Sequence, residues 1–166
     1  MDKTFDRLYL YNQYLREQEQ YLGKFKETQD EQEQWALNQW HKKNHYDWLD
    51  IVADEEIIGF LVIGFDRDGK VYACHPECDY WIAQAYVLTE YRNNGYMTSR
   101  LTKYVNRHPG DYGMYIPVGN PSKSFWLKRF SEMGYQQNCN LRDIENMNMN
   151  KYELLGFNNQ RRRNND

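Results

Sequence analysis

The stretch from Tyr80 to Leu101, YWIAQAYVLTEYRNNGYMTSRL, constrains the fold more than any other part of the chain. Its apolar beginning predicts a buried strand, its middle is a polar turn with one glycine, and its end has the pattern of a helix. This order puts free backbone N–H groups at a helix N-terminus, next to the carboxyl end of a strand. Because these groups point outward and the helix dipole is positive there, the arrangement favours a bound phosphate.

The length and composition favour one folded domain. The chain has 166 residues, of which 40% are hydrophobic and 16% aromatic, and its apolar residues gather in strand-like runs, which argues against a disordered chain. We expect a single domain over residues 1–157 and a polar, disordered tail over residues 158–166. The formal net charge of −3 gives no general attraction to nucleic acid. We interpret the short basic run in the tail, Arg161–Arg163, as a solubilising terminus in preference to a nucleic-acid contact.

The sequence carries no sign of a membrane partner. No apolar run approaches the length needed to cross a bilayer, and the first residues, MDKTFDRLYLYNQY, lack the apolar core of a signal peptide. The three cysteines, Cys74, Cys78 and Cys139, are an odd set. A cytoplasmic protein with reduced thiols is their simplest interpretation.

Cys74, His75 and Cys78 lie close enough in sequence to raise the question of a metal site. A zinc site needs four ligands, and no second Cys/His pair lies nearby. The remaining candidates are His41 and His45, well upstream. We therefore interpret the cysteines as loop thiols and expect no metal.

The apolar periodicity predicts a mixed α/β domain of the α+β kind, with an antiparallel hairpin first and βα units in the middle. Thr28 and Glu31 have the spacing of a capping box, and Asn120 and Pro121 that of an N-cap and a first helical residue. The alternation from Arg7 to Tyr11 leaves a short first strand as an alternative to helix there. The predicted elements are helices over 4–22, from 28 onward, 97–107 and 121–133, strands over 47–53, 57–63, 81–87, 112–118, 135–139 and 148–154, and turns at 54–55 and 66–69.

The segment from Val87 to Met97, VLTEYRNNGYM, resembles the acetyl-CoA signature of the GNAT acyltransferase superfamily. In that signature a strand ends in valine and is followed by roughly P-E-Y-R and then by R/Q-x-x-G-x-G/A, between a strand and a helix. Arg92 and Gly95 match it, whereas Thr89 stands where proline is common and Met97 where glycine or alanine is usual. Because methionine is bulkier, the turn could lie further from the phosphates than it does in the family.

A second segment resembles the family further downstream. Asn120, Phe130 and the pair Gly134-Tyr135 follow the family's N…Y…G-F pattern, with phenylalanine at the tyrosine position. The order of predicted elements also matches over roughly residues 28–155. The resemblance implies a GNAT-like mixed central sheet with splayed central strands and helices on both faces.

The resemblance also implies a cosubstrate and a reaction: acetyl-CoA, with direct transfer of its acetyl group to a primary amine. The backbone of Ala85 and Val87 would bond the pantetheine arm as an added strand, and Asn120 and Phe125 would lie near that arm or its thiol end. Arg92 would assist the phosphates. The pyrophosphate would be held by the backbone N–H groups of one run of residues, Asn93, Asn94, Gly95, Tyr96, Met97 and Thr98.

The acceptor implied by the resemblance is a small-molecule or peptide amine, and the sequence does not indicate which. Two facing molecules often pair in this superfamily, so a homodimer is a further arrangement that the resemblance allows. The first two helices often flank the acceptor groove in the family. Trp35 and Trp40 could therefore line that groove or fill the core, whereas we expect Trp48 in the core.

Two residues that the family often uses for chemistry are missing at their usual places. Its proton donor to the leaving thiolate is often a tyrosine at the position of Phe130, and its base is often a glutamate on the strand where this chain has Gln84. Tyr86, Tyr115 or Asp79 could substitute, and the sequence does not rank them. The alternative function is therefore a GNAT-fold protein that binds coenzyme A or another partner with little or no catalysis.

Overall fold

The computed structural model describes residues 3–42, 45–65, 75–144 and 146–160, and these form helices and strands in the predicted order. The segment Arg7–Tyr11 is helical, which excludes the alternative first strand, and a single 3-10 turn, Thr89–Tyr91, was not predicted. In chain order the elements are α1 (Thr4–Leu22), α2 (Gln29–Lys42), β1 (Tyr46–Ala53), β2 (Glu56–Phe65), β3 (Tyr80–Val87), α3 (Tyr96–Arg107), β4 (Tyr112–Pro117), α4 (Lys123–Glu132), β5 (Tyr135–Gln137) and β6 (Tyr152–Asn159).

A polar side chain caps the start of α2, and another closes the turn before α4. The Thr28 hydroxyl accepts a hydrogen bond from the Glu31 N–H at 3.2 Å, as the capping-box spacing predicts. Asn120 accepts a bond from the Ser122 N–H through its Oδ1 at 2.9 Å, but α4 begins only at Lys123. The prediction of its start at Pro121 was two residues early, because the bond from Ser122 closes a tight turn before the helix.

The six strands form one mixed sheet in the order β1-β2-β3-β4-β6-β5. The β1–β2 hairpin turns through Asp54 and Glu55, both with positive φ (50° and 69°), which suits the twist of a two-residue hairpin. The parallel pair is β3–β4, and it is joined only at its start, where Tyr80 and Trp81 pair with β4. Beyond Trp81 the two strands separate, which confirms the splayed central strands.

Each face of the sheet is covered by two helices, and each cover is rich in aromatic residues. On one face, α1 and α2 pack against the sheet through a cluster that includes Tyr11, Trp40 and Trp48. The rings of Trp40 and Trp48 meet edge to face at 5.1 Å, so both belong to the core, and the prediction for Trp48 is confirmed. On the other face, α3 and α4 bury a second cluster centred on Leu101 and Phe130.

The last strand lies later in the chain than its alternation suggested. Residues 148–151 form a turn in which the Asn148 side chain accepts a bond from the Asn150 N–H at 3.0 Å, so β6 starts only at Tyr152. It continues through Asn159, which is buried and donates its N–H to Asp111 at 2.8 Å. The predicted disorder of residues 158–159 was therefore wrong, because polar asparagines there complete a strand. Residues 161–166 and the predicted turn at 66–69 lie outside the described residues.

Candidate functional site

The gap between β3 and β4 exposes main-chain groups of β3. The Leu88 N–H bonds to the Ile58 carbonyl at 2.9 Å, so in this antiparallel pair alternate residues of β3 bond to β2 and the others face away from it. The register places Ala85 and Val87 in the second group. Since pairing with β4 stops at Trp81, the backbone of Ala85 and Val87 faces the open gap.

The turn that follows β3 is built from left-handed residues. Asn93 has φ 67°, and Gly95, at the start of α3, has φ 82° and ψ 6°. Asparagine and glycine tolerate this conformation better than other residues do. The Asn94 amide fixes the turn by donating to the carbonyls of Tyr91 and Arg92, each at 3.2 Å.

The turn leaves a run of backbone N–H groups open at the positive end of α3. The first N–H that bonds into the helix in this region is that of Ser99, to the Gly95 carbonyl at 2.9 Å. The N–H groups of residues 93–98 make no hydrogen bond of ordinary geometry within the described part of the chain. A Cβ added at Gly95 would meet no atom within 4 Å. The arrangement can therefore bind an anion without displacing other atoms.

Arg92 is held in place by three groups on the α1 side of the sheet. Its guanidinium forms two hydrogen bonds with the Glu17 carboxylate, at 3.0 and 2.7 Å, and lies 5.3 Å from the centre of the Tyr86 ring. Its Nε donates to the Val87 carbonyl at 2.7 Å. The hydrogen bonds to Glu17 raise the pKa of the guanidinium. Arg92 therefore ties the turn to β3 and to α1, and a direct contact with phosphate would require it to leave Glu17.

The Glu17 carboxylate turns toward Arg92 and is only 30% exposed. Gln18, which was not predicted as a site residue, lies on the buried face of α1. It continues the helical spacing of the stripe formed by Tyr11, Tyr14 and Leu22, so a polar side chain falls on the buried face of α1.

A cleft of about 440 Å³ lies beside the turn, between α3 and β1. Arg100 and Lys103 line it together with Gly95. The acidic residue among its described lining, Asp50, is paired with Arg7 at 2.7 Å. The surroundings of the open N–H groups therefore carry unbalanced positive charge, which also favours an anion.

A cavity of about 310 Å³ lies at the gap on the opposite face, between α1, β3, β4 and β6. A register shift in the β2–β3 pairing makes Ala83 an extra residue, and such a bulge changes the direction of its neighbours. Ala83 and Gln84 both line the cavity. The Gln84 Nε2 donates weakly to the Tyr11 hydroxyl at 3.4 Å, while its Oε1 is buried without a partner in the described residues. Nothing in the sequence signals the bulge.

The three groups considered for chemistry lie in different places. Asp79 precedes the start of β3 and accepts the Asp111 N–H at 2.8 Å, far along the strand from the gap. Tyr86 is buried in the aromatic cluster under Arg92, and burial raises the pKa of its hydroxyl. Tyr115 lines the cavity and donates to Asp143 at 2.5 Å. Of the three, the structure brings Tyr115 to the gap.

The residues that the resemblance identified in and before α4 also lie in different places: one is in the core, and two are near the carboxyl end of β4. Phe130 is fully buried and stacks on Phe157 at 4.1 Å, so it is a core residue. Asn120 lies in the turn between β4 and α4, and Phe125 lies in the first turn of α4. Both therefore follow the carboxyl end of β4. Because β3 and β4 are parallel, the N-termini of α3 and α4 lie at the same edge of the sheet.

The described residues contain neither a metal-binding cluster nor a membrane-spanning helix. No group of three or more His, Cys, Asp or Glu side chains there is placed to hold a metal ion, and Cys74 lies outside the described residues. None of the helices in the described ranges has the length and apolar character needed to cross a membrane.

Solved structures share this fold at low sequence identity. An acetyltransferase from Thermus thermophilus aligns with a TM-score of 0.61 and 11% identity, over 93% of this chain and 88% of that one. A ribosomal-protein-alanine N-acetyltransferase from Brucella melitensis has a TM-score of 0.58 and 16% identity, over 93% and 92%. The PaiA N-acetyltransferase from Thermoplasma acidophilum, in complex with coenzyme A, has a TM-score of 0.52 and 11% identity, over 94% and 92%.

No curated protein sequence matches the chain. A family model does: the acetyltransferase (GNAT) family matches residues 9–128, a range that contains the splayed strand, the open turn and all of α3. With the six-stranded mixed sheet and the helices on both faces, this match shows that the chain belongs to the GNAT acetyltransferase family.

Proposed function

We propose that this chain is an N-acetyltransferase that moves an acetyl group directly from acetyl-CoA to a primary amine of a small molecule or peptide, in the cytoplasm. The observation that carries the proposal is the run of open N–H groups at residues 93–98 beside the gap in the sheet. The family match supports acyl transfer in general, and the choice of an amine acceptor is our own step.

In the proposed complex, the cosubstrate lies along the gap. Its diphosphate accepts hydrogen bonds from the N–H groups of residues 93–98, and its pantetheine arm bonds to the exposed backbone of Ala85 and Val87. Asn120 and Phe125 border the arm from the α4 side. Arg92 contributes by holding the Val87 carbonyl and the turn in position.

The transfer needs three things from the protein. The amine nitrogen must be neutral to attack the thioester carbonyl, the oxyanion that forms must be stabilised, and the C–S bond must break with the thiolate gaining a proton. The Val87 N–H faces the gap and can donate to the oxyanion. Tyr115 is the candidate for proton transfer to the sulfur, since it lines the cavity at the gap.

Calorimetric titration of the purified protein tests the proposal. We expect acetyl-CoA to bind, and acetyl-pantetheine, which lacks the diphosphate, to bind far more weakly because the open N–H groups then have no anion. Release of free thiol in the presence of a panel of amines tests the transfer itself. Absence of heat with acetyl-CoA at high micromolar concentration would contradict the proposal at its first step.

One observation favours a second candidate function, a GNAT-fold protein that binds coenzyme A without catalysis. Phe130 is fully buried in the core, and β3 offers Gln84 where a base is often found. The thiol-release assay separates the two functions, because turnover above background with any amine excludes binding alone.

The Arg92–Glu17 pair gives a further prediction. We expect Arg92→Gln and Glu17→Gln to weaken acetyl-CoA binding by a similar amount, about 3- to 10-fold. The first removes the guanidinium that supports Val87 and the turn, and the second releases it from that position. Both side chains are about one third exposed, so the loss in unfolding free energy should stay at or below about 1 kcal/mol. Calorimetry and thermal unfolding measure the two effects.

The control for this pair is Arg16→Gln, which breaks an exposed ion pair with Glu19 on the same helix and should leave binding unchanged. A large loss for Arg92→Gln that weakens with added salt, together with no loss for Glu17→Gln, would show instead that Arg92 contacts the phosphates directly.

A further inference from the structure

The cavity between α1 and the gap is lined by rings and uncharged side chains. Tyr14, Tyr46, Trp81, Tyr115 and Tyr152 contribute aromatic surface, and no Asp, Glu, Lys or Arg occurs among its described lining residues. An ammonium group entering it would meet ring faces, which attract a cation only modestly, and no carboxylate among the described lining residues to act as its counter-charge.

Several charged groups around the cavity are already paired or carry the wrong sign for an ammonium. Glu17 is bound to Arg92, and Asp143 accepts the Tyr115 hydroxyl. At the rim, the Lys151 ammonium donates to the Leu22 carbonyl at 3.3 Å. Glu27 lies exposed after α1. Its charge raises the pKa of the Tyr11 hydroxyl, but less than burial of that hydroxyl does.

Two of the tyrosines that line the cavity stay uncharged near neutral pH. Burial raises the pKa of the Tyr14 and Tyr152 hydroxyls. Apart from the tyrosines, the titratable residue among the described lining is His75. Its Nδ1 accepts the Glu77 N–H at 3.0 Å, and its Nε2 lies 2.5 Å from the Arg142 carbonyl oxygen. With both nitrogens engaged, this ring is not positioned to take a proton from a substrate.

Gln84 supplies a polar group with no partner. Its Oε1 is buried and makes no hydrogen bond within the described residues, although buried acceptors are normally paired. An amide oxygen accepts an N–H but does not remove a proton at neutral pH. It therefore suits a neutral amine better than an ammonium that must first be deprotonated.

From these observations we infer that the acceptor is an amine that arrives uncharged, next to an aromatic group, with its N–H donated to the Gln84 Oε1. The inference rests on the proposed function, of which it names the substrate class. Amines with a pKa near neutrality fit best: an α-amino group has a pKa of about 7.7–8.0, against about 10.4 for a lysine side chain. In the reaction the nitrogen lone pair forms the C–N bond, and the C–S bond breaks with its electron pair leaving on the coenzyme A sulfur. The proton leaving nitrogen passes to water, while the sulfur takes a proton from Tyr115, which regains one from water.

Binding of two model amines to the protein tests the inference without any need for turnover. Phenylalanine amide offers an aromatic α-amine, and Nα-acetyl-lysine amide offers an ammonium. By calorimetry, we expect affinity for phenylalanine amide to rise on the order of 50-fold from about pH 6 to about pH 9, as the neutral form grows from a few per cent to nearly all of the amine. The lysine derivative should bind weakly throughout.

Variants at Gln84 connect this pH dependence to the proposed contact. Gln84→Ala should lower affinity for phenylalanine amide about 3- to 10-fold and keep the rise with pH. Gln84→Glu introduces a carboxylate of the same shape, so it should bind the lysine derivative and reverse the pH trend. Gln137→Ala, at an exposed position on β5, is the matched control and should change nothing. Thermal unfolding verifies that each variant is folded.

Two results would overturn the inference: tighter binding of the lysine derivative by the wild-type protein, or no binding of either amine. Failure of the proposed function looks different, because amine binding would then follow the expected pH dependence while acetyl-CoA fails to bind or no thiol is released.

Discussion

Gly95→Val is expected to reduce acetyl-CoA affinity by at least about 10-fold, the largest loss from a single change in the turn. Gly95 has φ 82° and ψ 6°, and L-residues pay roughly 1–2 kcal/mol in this left-handed region, more when the side chain is branched at Cβ. A Cβ at this position meets no atom within 4 Å, so the cause is backbone strain and not a clash. The turn would relax, and the N–H groups of residues 93–98 would no longer converge on one anion.

Calorimetry with acetyl-CoA measures the loss, and two variants separate it from general destabilisation. Gly23→Val strains a glycine with φ 78° that also has open space around it, at the end of α1. It should lower the melting temperature at least as much and leave affinity intact. Gly95→Asn should retain most of the binding, because asparagine tolerates the left-handed conformation. Unchanged affinity in Gly95→Val would remove the turn from the binding site.

Gly59→Ala is expected to cause the largest loss of stability, about 3 kcal/mol or more. Gly59 pairs with Val87 across β2 and β3, and a Cβ built on it would overlap the Tyr86 carbonyl oxygen and lie 3.0 Å from the Val87 Cα. These are backbone atoms of a central strand, so they cannot turn aside as a flexible side chain would. The substitution would push the carboxyl end of β3 away from β2 and so toward the gap on its other side.

Thermal unfolding measures this effect, and for a chain of this length the loss corresponds to a fall in melting temperature of about 6–12 °C. Gly156→Ala is a comparison variant in which the added Cβ meets a milder steric conflict. Its added Cβ would lie 3.0 Å from the Leu141 side chain and 3.1 Å from the Asn138 carbonyl, so a smaller loss is expected. Equal stability of Gly59→Ala and the wild type would show that β2 and β3 are further apart than this structure has them.

Local signals in the sequence predicted the elements that position the site. The apolar run at 81–87, the single glycine at 95 and the periodicity of 97–107 led to a strand, a turn and a helix in that order, and all three are present. These signals act between neighbours in the chain, through backbone conformation and the period of the apolar residues. The start of β6 was misplaced because asparagine turns and polar strand ends look alike at that level.

The chemistry of the candidate site depends on contacts that no local pattern contains. Glu17 and Arg92 are far apart in sequence and meet only because α1 packs across β3. Tyr115 becomes the candidate among three groups because β4 carries it to the gap, while Asp79 stays at the far end of β3.

The sequence by itself determined the family and the glycine turn before α3, because a glycine in a left-handed conformation before an amphipathic helix is a property of consecutive residues. Tertiary structure alone decided what surrounds the gap. The bulge at Ala83 directs Gln84 toward a cavity whose described lining holds no charged residue of the Asp, Glu, Lys or Arg types, and the packing of α1 pairs Glu17 with Arg92. Burial and counter-charges are long-range properties of the folded chain, and they set the polarity of the cavity.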